Sequence, residues 1–475
     1  MVLAFIFVPL LGAAIMPIMR KFWVKGSTLV TIAVTIFMLV GSFLNIHREV
    51  VSKSSISFNQ SLLGEKLMLS IDGLSAVVLM VIALVTLATI VFSAGVPIGR
   101  RSGFNALVLL AVTGMNGLTM ATDIFSIYVF IEIVSISSFI LIVYNMDDVG
   151  TESSFKYIVL SAVATVFLLV GIATLFAITG DVSFRGMAAG LRSNAPLAQF
   201  GLGFILFALA LKAGLMPFHG WLPDAYTGAP VSVSILLAGV VTKVTGVYTL
   251  MRIIIAVFGF SDSFSSLVMI LGSISMTLAA FMAMGQQDFK RMLAFSSISQ
   301  VGYILMSFAT GTSIGLIGAV FHFFNHAVFK SLLFLNAGAV ETATGVRKLD
   351  DLGGLAAKMP VTGITSIIGS LSAAGVPPLA GFWSKLLIII ALWSSGYRFY
   401  AFLAIFTSVV TLAYLLYMQR QVFFGKVRQG LEGVKEVSPL LYGPAVLMAL
   451  LAVAGGLFYP MVIRTLNALS SLLIK

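Results

Sequence analysis

Apolar runs of roughly 18 residues or more recur along almost the whole of this chain, and no other feature restricts its fold as strongly. In hydrocarbon a backbone must satisfy its own hydrogen bonds, and a segment of that length does so as an α-helix. The composition agrees: of 475 residues, 59% are hydrophobic and only 9% charged, with a mean hydropathy of +1.09. The sequence therefore predicts an all-α polytopic membrane protein whose first partner is the lipid bilayer. Fourteen spans are expected, over 2–19, 27–45, 69–94, 104–121, 123–144, 157–178, 199–217, 230–257, 264–284, 290–309, 314–340, 361–393, 399–420 and 438–459. The opening run has neither the basic start nor the cleavage site of a signal peptide and reads as the first membrane helix. The largest loops, 46–68 and 180–198, are too short for an extramembrane domain, and no lateral helix is expected after span fourteen.

The formal charge of +11 does not point to nucleic acid, because the basic residues sit in short loops where orientation bias places them. Odd-numbered loops carry Arg20, Lys21, Lys25, Arg100, Arg101, Lys156, Lys290, Arg291, Arg347, Lys348, Lys358, Arg420, Lys426, Arg428 and Lys435. Even loops and tails carry Arg48, Lys53, Lys66, Arg185, Arg192, Arg252, Arg398, Arg464 and Lys475. Fifteen against nine puts the odd loops in the cytoplasm of a cell-membrane protein and both termini on the outer face. With no cysteine, disulfides, iron–sulfur ligation and thiolate metal sites are excluded.

Two stretches repeat. Asp123 and F-I-E-I at 130–133 match Asp288 and F-S-S-I at 295–298 with an offset of 165, and Thr179-Gly180 meets Thr344-Gly345 at the same offset. At an offset of 161, Gly214, Pro217, Gly220 and Trp221 meet Gly375, Pro378, Gly381 and Phe382. Five spans separate the copies, and an odd number inverts the second across the membrane. Paired interrupted helices of this kind mark a transport site at mid-depth. The expected organisation is helices 1–3 over 1–103, a first inverted five-helix repeat over 104–258, a second over 259–424, and helix 14 with a tail over 425–475. Helices 7 and 12 are discontinuous. The copies differ in charge: Lys212 aligns with Ala373, and Lys385 with Asp224.

Four of the 28 basic residues fall inside spans, namely Lys212, Lys243, Lys330 and Lys385. Glu132 joins them in span five, where an unpaired carboxylate costs roughly 2.5–3.5 kcal/mol on insertion scales. Glu132 could be held by serine or backbone for packing alone, but the lysines offer partners. A partly desolvated lysine exchanges protons when a carboxylate approaches and withdraws; snorkelling is the competing explanation and suits Lys212 and Lys243 poorly. Lys330 fits a structural partner or a relay equally well. His322, His326 and Lys330, spaced i, i+4, i+8, share one face of span eleven. No third ligand cluster accompanies the histidines, so a proton relay is favoured over metal or haem, and no cofactor is expected. His219 and Asp224, beside the first break, either gate the path to solvent or cap helix ends. Pro217, Pro223, Pro230, Pro377 and Pro378 free carbonyls that neighbours or water must satisfy. Ser296, Ser297, Ser299, Gln300 and Ser384 could hold such water or simply join helices.

With those residues in hand, the chain resembles the antiporter-like subunits of respiratory complex I, membrane-bound hydrogenases and Mrp-type cation/proton antiporters. The resemblance rests on F-I-E-I-V-S-I-S-S around Glu132, K-A-G-L-M-P-F-H-G-W-L-P-D-A-Y-T-G-A-P around Lys212, L-L-A-G-V-V-T-K, F-K-R-M-L-A-F-S-S-I-S-Q-V-G-Y, F-N-H-A-V-F-K-S-L-L-F-L and G-V-P-P-L-A-G-F-W-S-K. It implies fourteen helices with discontinuous helices seven and twelve. It also implies a modulating Glu132–Lys212 pair, a central relay lysine at Lys243, continuation through His322 or His326, and a terminal Lys385. A lysine at 385 and the short C-terminus bring the chain nearest to the Mrp D-type subunit or its hydrogenase counterpart. The expected function is proton or sodium/proton translocation beside further antiporter-like subunits and a redox or hydrogenase module, with no redox chemistry in this chain. A Mrp antiporter without a redox module and a purely structural membrane anchor are the alternatives.

Overall fold

The structure is a computed structural model that describes residues 2–22, 24–52, 56–62, 65–191 and 195–470. The expected Lys53, Arg192 and Lys475 of the charge pattern lie outside these residues. Helices α1 (Ala4–Phe22) and α2 (Val24–Ser52) lead into an antiparallel hairpin of β1 (Ile56–Leu62) and β2 (Glu65–Ile71), with Ile56 opposite Ile71. There follow α3 (Gly73–Ala94), α4 (Arg101–Met120), α5 (Ile124–Ile142), α6 (Asp148–Thr179), α7 (Phe184–Gly190), α8 (Ala195–Ala213) and α9 (Trp221–Gly228). A long helix, α10 (Val231–Phe258), opens the second part. After it come α11 (Asp262–Met284), α12 (Phe289–Ala309), α13 (Ser313–Thr344), α14 (Pro360–Ala374), α15 (Ala380–Ser394), α16 (Arg398–Val422), α17 (Pro439–Leu457) and α18 (Tyr459–Ser470).

The fold is helical and membrane-spanning. Among the described residues, 12 helices are long and apolar enough to cross a bilayer, and Ala4–Met19, Pro360–Ala374 and Ala380–Ser394 are shorter apolar helices. The last two occupy the single span expected over 361–393, split where Gly375 and its two prolines end one helix and begin another. Three expectations are corrected. Span three starts at Gly73 rather than 69, because Asp72 caps it through the Ser75 amide and the preceding residues pair as β2. The supposed loop 46–68 is the end of α2 plus the hairpin, and 180–198 contains α7. The C-terminal stretch is not bare, since α18 follows span fourteen directly.

The same local geometry recurs 165 residues apart. Asp123 and Asp288 each cap the next helix by accepting from the third amide onward, at Ser126 and Arg291. Each also pairs in an isolated bridge, Asp123 with Ser183 and Asp288 with Lys348. Helices α6 and α13 both have 32 residues and end on left-handed glycines, Gly180 and Gly345, a conformation glycine adopts without a Cβ penalty. The two breaks match as well: Leu215 donates to the Ala210 carbonyl and Val376 to that of Leu371, both five residues back. The Met216–Pro217 and Pro377–Pro378 peptide bonds are cis.

Burial separates the helices into two kinds. α10, α12 and α13 are almost wholly covered by neighbours, whereas α2, α6, α16 and α17 leave much of their apolar surface uncovered by the rest of the chain. α13 packs against α3, α10, α12, α14, α15 and α17, so its polar face sits in the middle of the bundle. Such a position is where intramembrane ionisable groups belong when they act rather than merely tolerate lipid.

Candidate functional site

The first cluster lies where α5, α6 and α8 meet. Lys212 occupies the last turn of α8, where the carbonyl end of the helix favours a cation. Its ammonium donates to Ser135 Oγ at 2.8 Å and to Ser161 Oγ at 2.5 Å. Glu132 Oε1 accepts from Thr165 Oγ1 at 2.5 Å and stands 4.0 Å from Lys212 Nζ. The expected pair is thus adjacent but not hydrogen-bonded: each charge is held by hydroxyls within reach of the other. Glycine at 214, with φ of 68°, turns the chain immediately after Lys212; a Cβ there would collide with Leu222 Cδ1. At the break the Leu211 carbonyl accepts from the Gly214 amide at 3.1 Å and also from the Trp221 indole at 2.9 Å.

The second cluster is central. Lys243, fully buried, lies on α10, which is not a regular α-helix: Leu237–Val241, Lys243–Tyr248 and Ile254–Phe258 wind as π-turns. In that wider register Thr242, Lys243 and Thr249 turn back on carbonyls five residues earlier, those of Leu237, Ala238 and Val244. Such turns occur often at functional sites. A small cavity of about 10 Å³ lies beside Lys212 between α6, α8, α9 and α10, lined by Ser161, Lys212, Trp221, Thr242 and Thr245 among others. That is near the threshold for one water. α8 and α10 approach closely here because Gly246 has no Cβ; one would meet Ala213 Cα at 2.5 Å.

The third cluster brings the α13 face to the second break. His322 and His326 stack with centroids 6.4 Å apart and planes 14° off parallel. His322 Nδ1 lies 2.9 Å from Ser384 Oγ, and Nε2 lies 3.1 Å from Gln300 Oε1. Both ring nitrogens of His326 lack a hydrogen-bond partner although the residue is fully buried. Around it, within electrostatic range, stand Lys243, Lys330, His322 and Lys385. Lys330 donates to the Leu293 carbonyl at 3.2 Å. Lys385 donates to Ser408 Oγ at 3.1 Å and reaches back across the break to the Ala374 carbonyl at 3.3 Å, with Tyr303 beneath it, centroid at 4.7 Å. Lys212 is therefore held before its break, whereas Lys385 lies beyond its own and caps the helix on the other side.

Among the described residues, Lys243, Lys330 and Lys385 have no carboxylate within ion-pair distance; only Lys212 of the four has one. Uncompensated buried charge costs several kcal/mol per ion. These three lysines and two histidines cannot all be charged together, and the arrangement suits a mobile proton shared among fixed basic groups.

The residues at the first break divide. Asp224 is an ion-pair brace, bound by Lys156 at 2.8 Å and Arg291 at 2.6 Å, and so ties α9 to α6 and α12. Half-buried His219 has an unpartnered Nδ1 and lies against Phe295. Pro217, Pro377 and Pro378 are exposed on the isolated chain. Ser296 bonds Tyr414 and Ser299 bonds the Met276 carbonyl, so both join helices, while Gln300 and Ser384 hold His322.

Two polar clusters escaped sequence reasoning. Arg252, counted with an even loop, lies within α10; it grips Asp72 through two bonds of 2.5 and 2.8 Å and also donates to Tyr248. Burial would raise the Asp72 carboxyl, but the Arg252 guanidinium outweighs it and holds the group at about 2. Lys290, counted with an odd loop, is buried in the first turn of α12, 3.8 Å from Glu341. A basic residue one position inside a helix start looks like a loop residue in sequence; its pairing across helices has no local signature.

Comparison with known proteins places this geometry. Residues 121–411 match the family described as NADH:quinone oxidoreductase/Mrp antiporter, TM. The NADH-quinone oxidoreductase subunit N of Desulforudis audaxviator is 34% identical over 78% of this chain and 76% of its own. The D-type subunit of the Na(+)/H(+) antiporter of Alkalihalophilus pseudofirmus is 32% identical, over 74% and 72% respectively. The F(420)H(2) dehydrogenase subunit M of Methanosarcina mazei is 31% identical, over 83% and 81%. A chain of the Mrp complex from Dietzia sp. superposes with a TM-score of 0.93 at 26% identity, covering 100% of this chain and 97% of that one. A chain of the archaeal membrane-bound sulfane sulfur reductase superposes at 0.91 with 29% identity, covering 100% and 98%.

Proposed function

We propose that this chain, which belongs to the NADH:quinone oxidoreductase/Mrp antiporter family of membrane subunits, moves protons along the buried line from Glu132 and Lys212 through Lys243 and the α13 histidines to Lys385. The observation that carries the reading is the Lys212 site: a buried ammonium bonded to two serines and 4.0 Å from a carboxylate that is itself held by a threonine. Two nearly equivalent resting places for one charge make a switch. When Lys212 sits on its serines, its charge stays beside the small cavity that Thr242 and Thr245 of α10 also line, and disfavours a proton on the neighbouring Lys243. When it moves onto Glu132, that repulsion falls and Lys243 can accept one. His326, unpartnered at both nitrogens, passes the proton towards His322 and Lys385, where Ser384 and Gln300 fix the His322 ring.

The relatives are subunits of redox-linked and purely antiporting assemblies, so this chain is read as working beside other membrane subunits, further antiporter-like ones among them, in the cell membrane. Fourteen spans, of which 4–8 and 9–13 form two inverted five-helix repeats, with odd loops in the cytoplasm and both termini outside, complete the reading. Energy arrives from a redox or hydrogenase module through displacement of the Glu132–Lys212 pair. Similarity to a D-type antiporter chain and to the Mrp complex supports a second reading, cation/proton exchange without a redox module. Vesicles containing the assembled complex separate the cases. Lys212→Ala or Glu132→Ala abolishes proton uptake if the switch is real, and undiminished uptake would sink it. Sodium-dependent pH changes with no electron donor present favour the exchanger. Intact pumping after Lys243 and Lys385 are neutralised together would leave only a structural anchor.

A further inference from the structure

We propose that Lys290 and Glu341 form a second lysine–carboxylate pair, one that loads protons onto the axis at Lys330 from the odd-loop side; the proposal rests on proton transfer along that axis. Lys290 is 2% exposed, and its ammonium donates to the Ala229 carbonyl at 2.9 Å, with Glu341 Oε2 at 3.8 Å. Glu341, in the last turn of α13, is partly exposed, and its Oε2 has no hydrogen-bond partner. The pair therefore repeats the arrangement of Lys212 and Glu132: a buried ammonium on a neutral acceptor, and a carboxylate nearby that reaches the surface. Arg347, Asp288 and Asp147 also act on Lys290 electrostatically, and Asp288 is engaged by Arg347 at 2.9 Å. Glu341 is thus the acid nearest to Lys290 that no other base holds.

Position connects the pair to the axis. Lys330 and Glu341 are 11 residues apart on α13, three helical turns, and so lie on one face. One turn along α12 from Lys290, the Leu293 carbonyl accepts from Lys330. Ser331 Oγ, next to Lys330, is buried without a partner and abuts Gly239 of α10. Lys290 also grips the segment that leads into α10, through Ala229, while its neighbour Arg291 grips α9 through Asp224. A proton arriving from the odd-loop side neutralises the Glu341 carboxylate and releases Lys290, whose own proton passes inward to Lys330. The Glu341 proton then moves to Lys290 and restores the pair, with no net change in either residue.

The test uses membrane vesicles carrying the assembled complex, with proton uptake followed by a fluorescent pH indicator and assembly checked by native electrophoresis. Glu341→Gln keeps the side-chain size and should lower uptake by roughly a hundredfold, the low end of what a positioned proton-transfer group contributes. Lys290→Ala should do the same, and the exchanged pair Lys290→Glu with Glu341→Lys should recover part of the loss. Arg347→Ala, beside the pair but outside it, should stay within about twofold of the parent. If Lys290→Ala fails to assemble, Glu341→Gln decides. Lys243→Ala separates the two proposals. Loss of uptake in that variant with normal uptake in Glu341→Gln overturns the loading pair alone, and normal uptake in Lys243→Ala overturns the axis on which it depends.

Discussion

Ser161 sets the balance of the Lys212 switch, and its removal gives a measurable consequence. Its hydroxyl accepts from the lysine ammonium at 2.5 Å, the shorter of two such bonds. A hydrogen bond to a charged group contributes about 1.5–3 kcal/mol net. Ser161→Ala leaves Lys212 with Ser135 alone and shifts the equilibrium towards Glu132 by that amount, roughly ten- to a hundredfold in population. A switch held on one side cycles more slowly by up to the same factor. Proton uptake in vesicles, normalised to the amount of assembled complex, should therefore fall at least several-fold in Ser161→Ala. Ser161→Thr, which keeps the hydroxyl, should recover most of it. A Ser161→Ala rate equal to the parent's would show that Lys212 does not divide its time between serine and carboxylate, and the switch argument would be refuted.

Three further outcomes follow from the packing. Gly246→Ala places a methyl 2.5 Å from the Ala213 backbone, and overpacking of this kind costs about 1–3 kcal/mol; the thermal midpoint of the assembled complex should drop and uptake with it, because the variant pushes Lys212 away from Lys243. Gly375→Ala combines a φ of 85° with a Cβ 2.8 Å from Lys385 Cδ, so it should lower the midpoint too, whereas Gly396→Ala, whose φ of 84° meets no neighbouring atom, should cost only its backbone strain. Asp72→Asn removes the charged partner of Arg252. The folded Asp72 carboxyl sits at about 2, below its ordinary 3.8, so the stability it contributes is full above that ordinary value and disappears as pH falls towards 2. Melting curves of parent and variant should differ at neutral pH and converge across that window; a constant difference contradicts the assignment.

How much of this could be read from the chain depends on the kind of signal each feature leaves. Helices were legible because each span must be apolar along its length, and both breaks were legible because Gly214, Gly375 and their prolines are costly inside lipid without a reason. Glu132 and the four intramembrane lysines stood out for the same cause. The hairpin 56–71 left no such trace, since its mixed polarity reads as loop. Neither did the π-turns of α10: a register of five rather than four residues changes which carbonyl Lys243 can reach without changing which residues are apolar. Asp224 was visible as an acid next to a break, but its partners Lys156 and Arg291 lie 68 and 67 residues away, and only tertiary packing shows that it braces. Lys290 and Glu341 were hidden by their places at helix ends, where charge is unremarked.

The central claim, that the buried bases conduct protons rather than hold the bundle together, is tested most directly at Lys243. It is fully buried, has no carboxylate within ion-pair distance among the described residues, and bonds only to the Ala238 carbonyl of its own helix. Protons moved per turnover of the driving reaction should be measured in vesicles holding the assembled complex with Lys243→Leu, a replacement that keeps bulk and removes the base. The account predicts that this ratio falls while assembly persists; an unchanged ratio would contradict it.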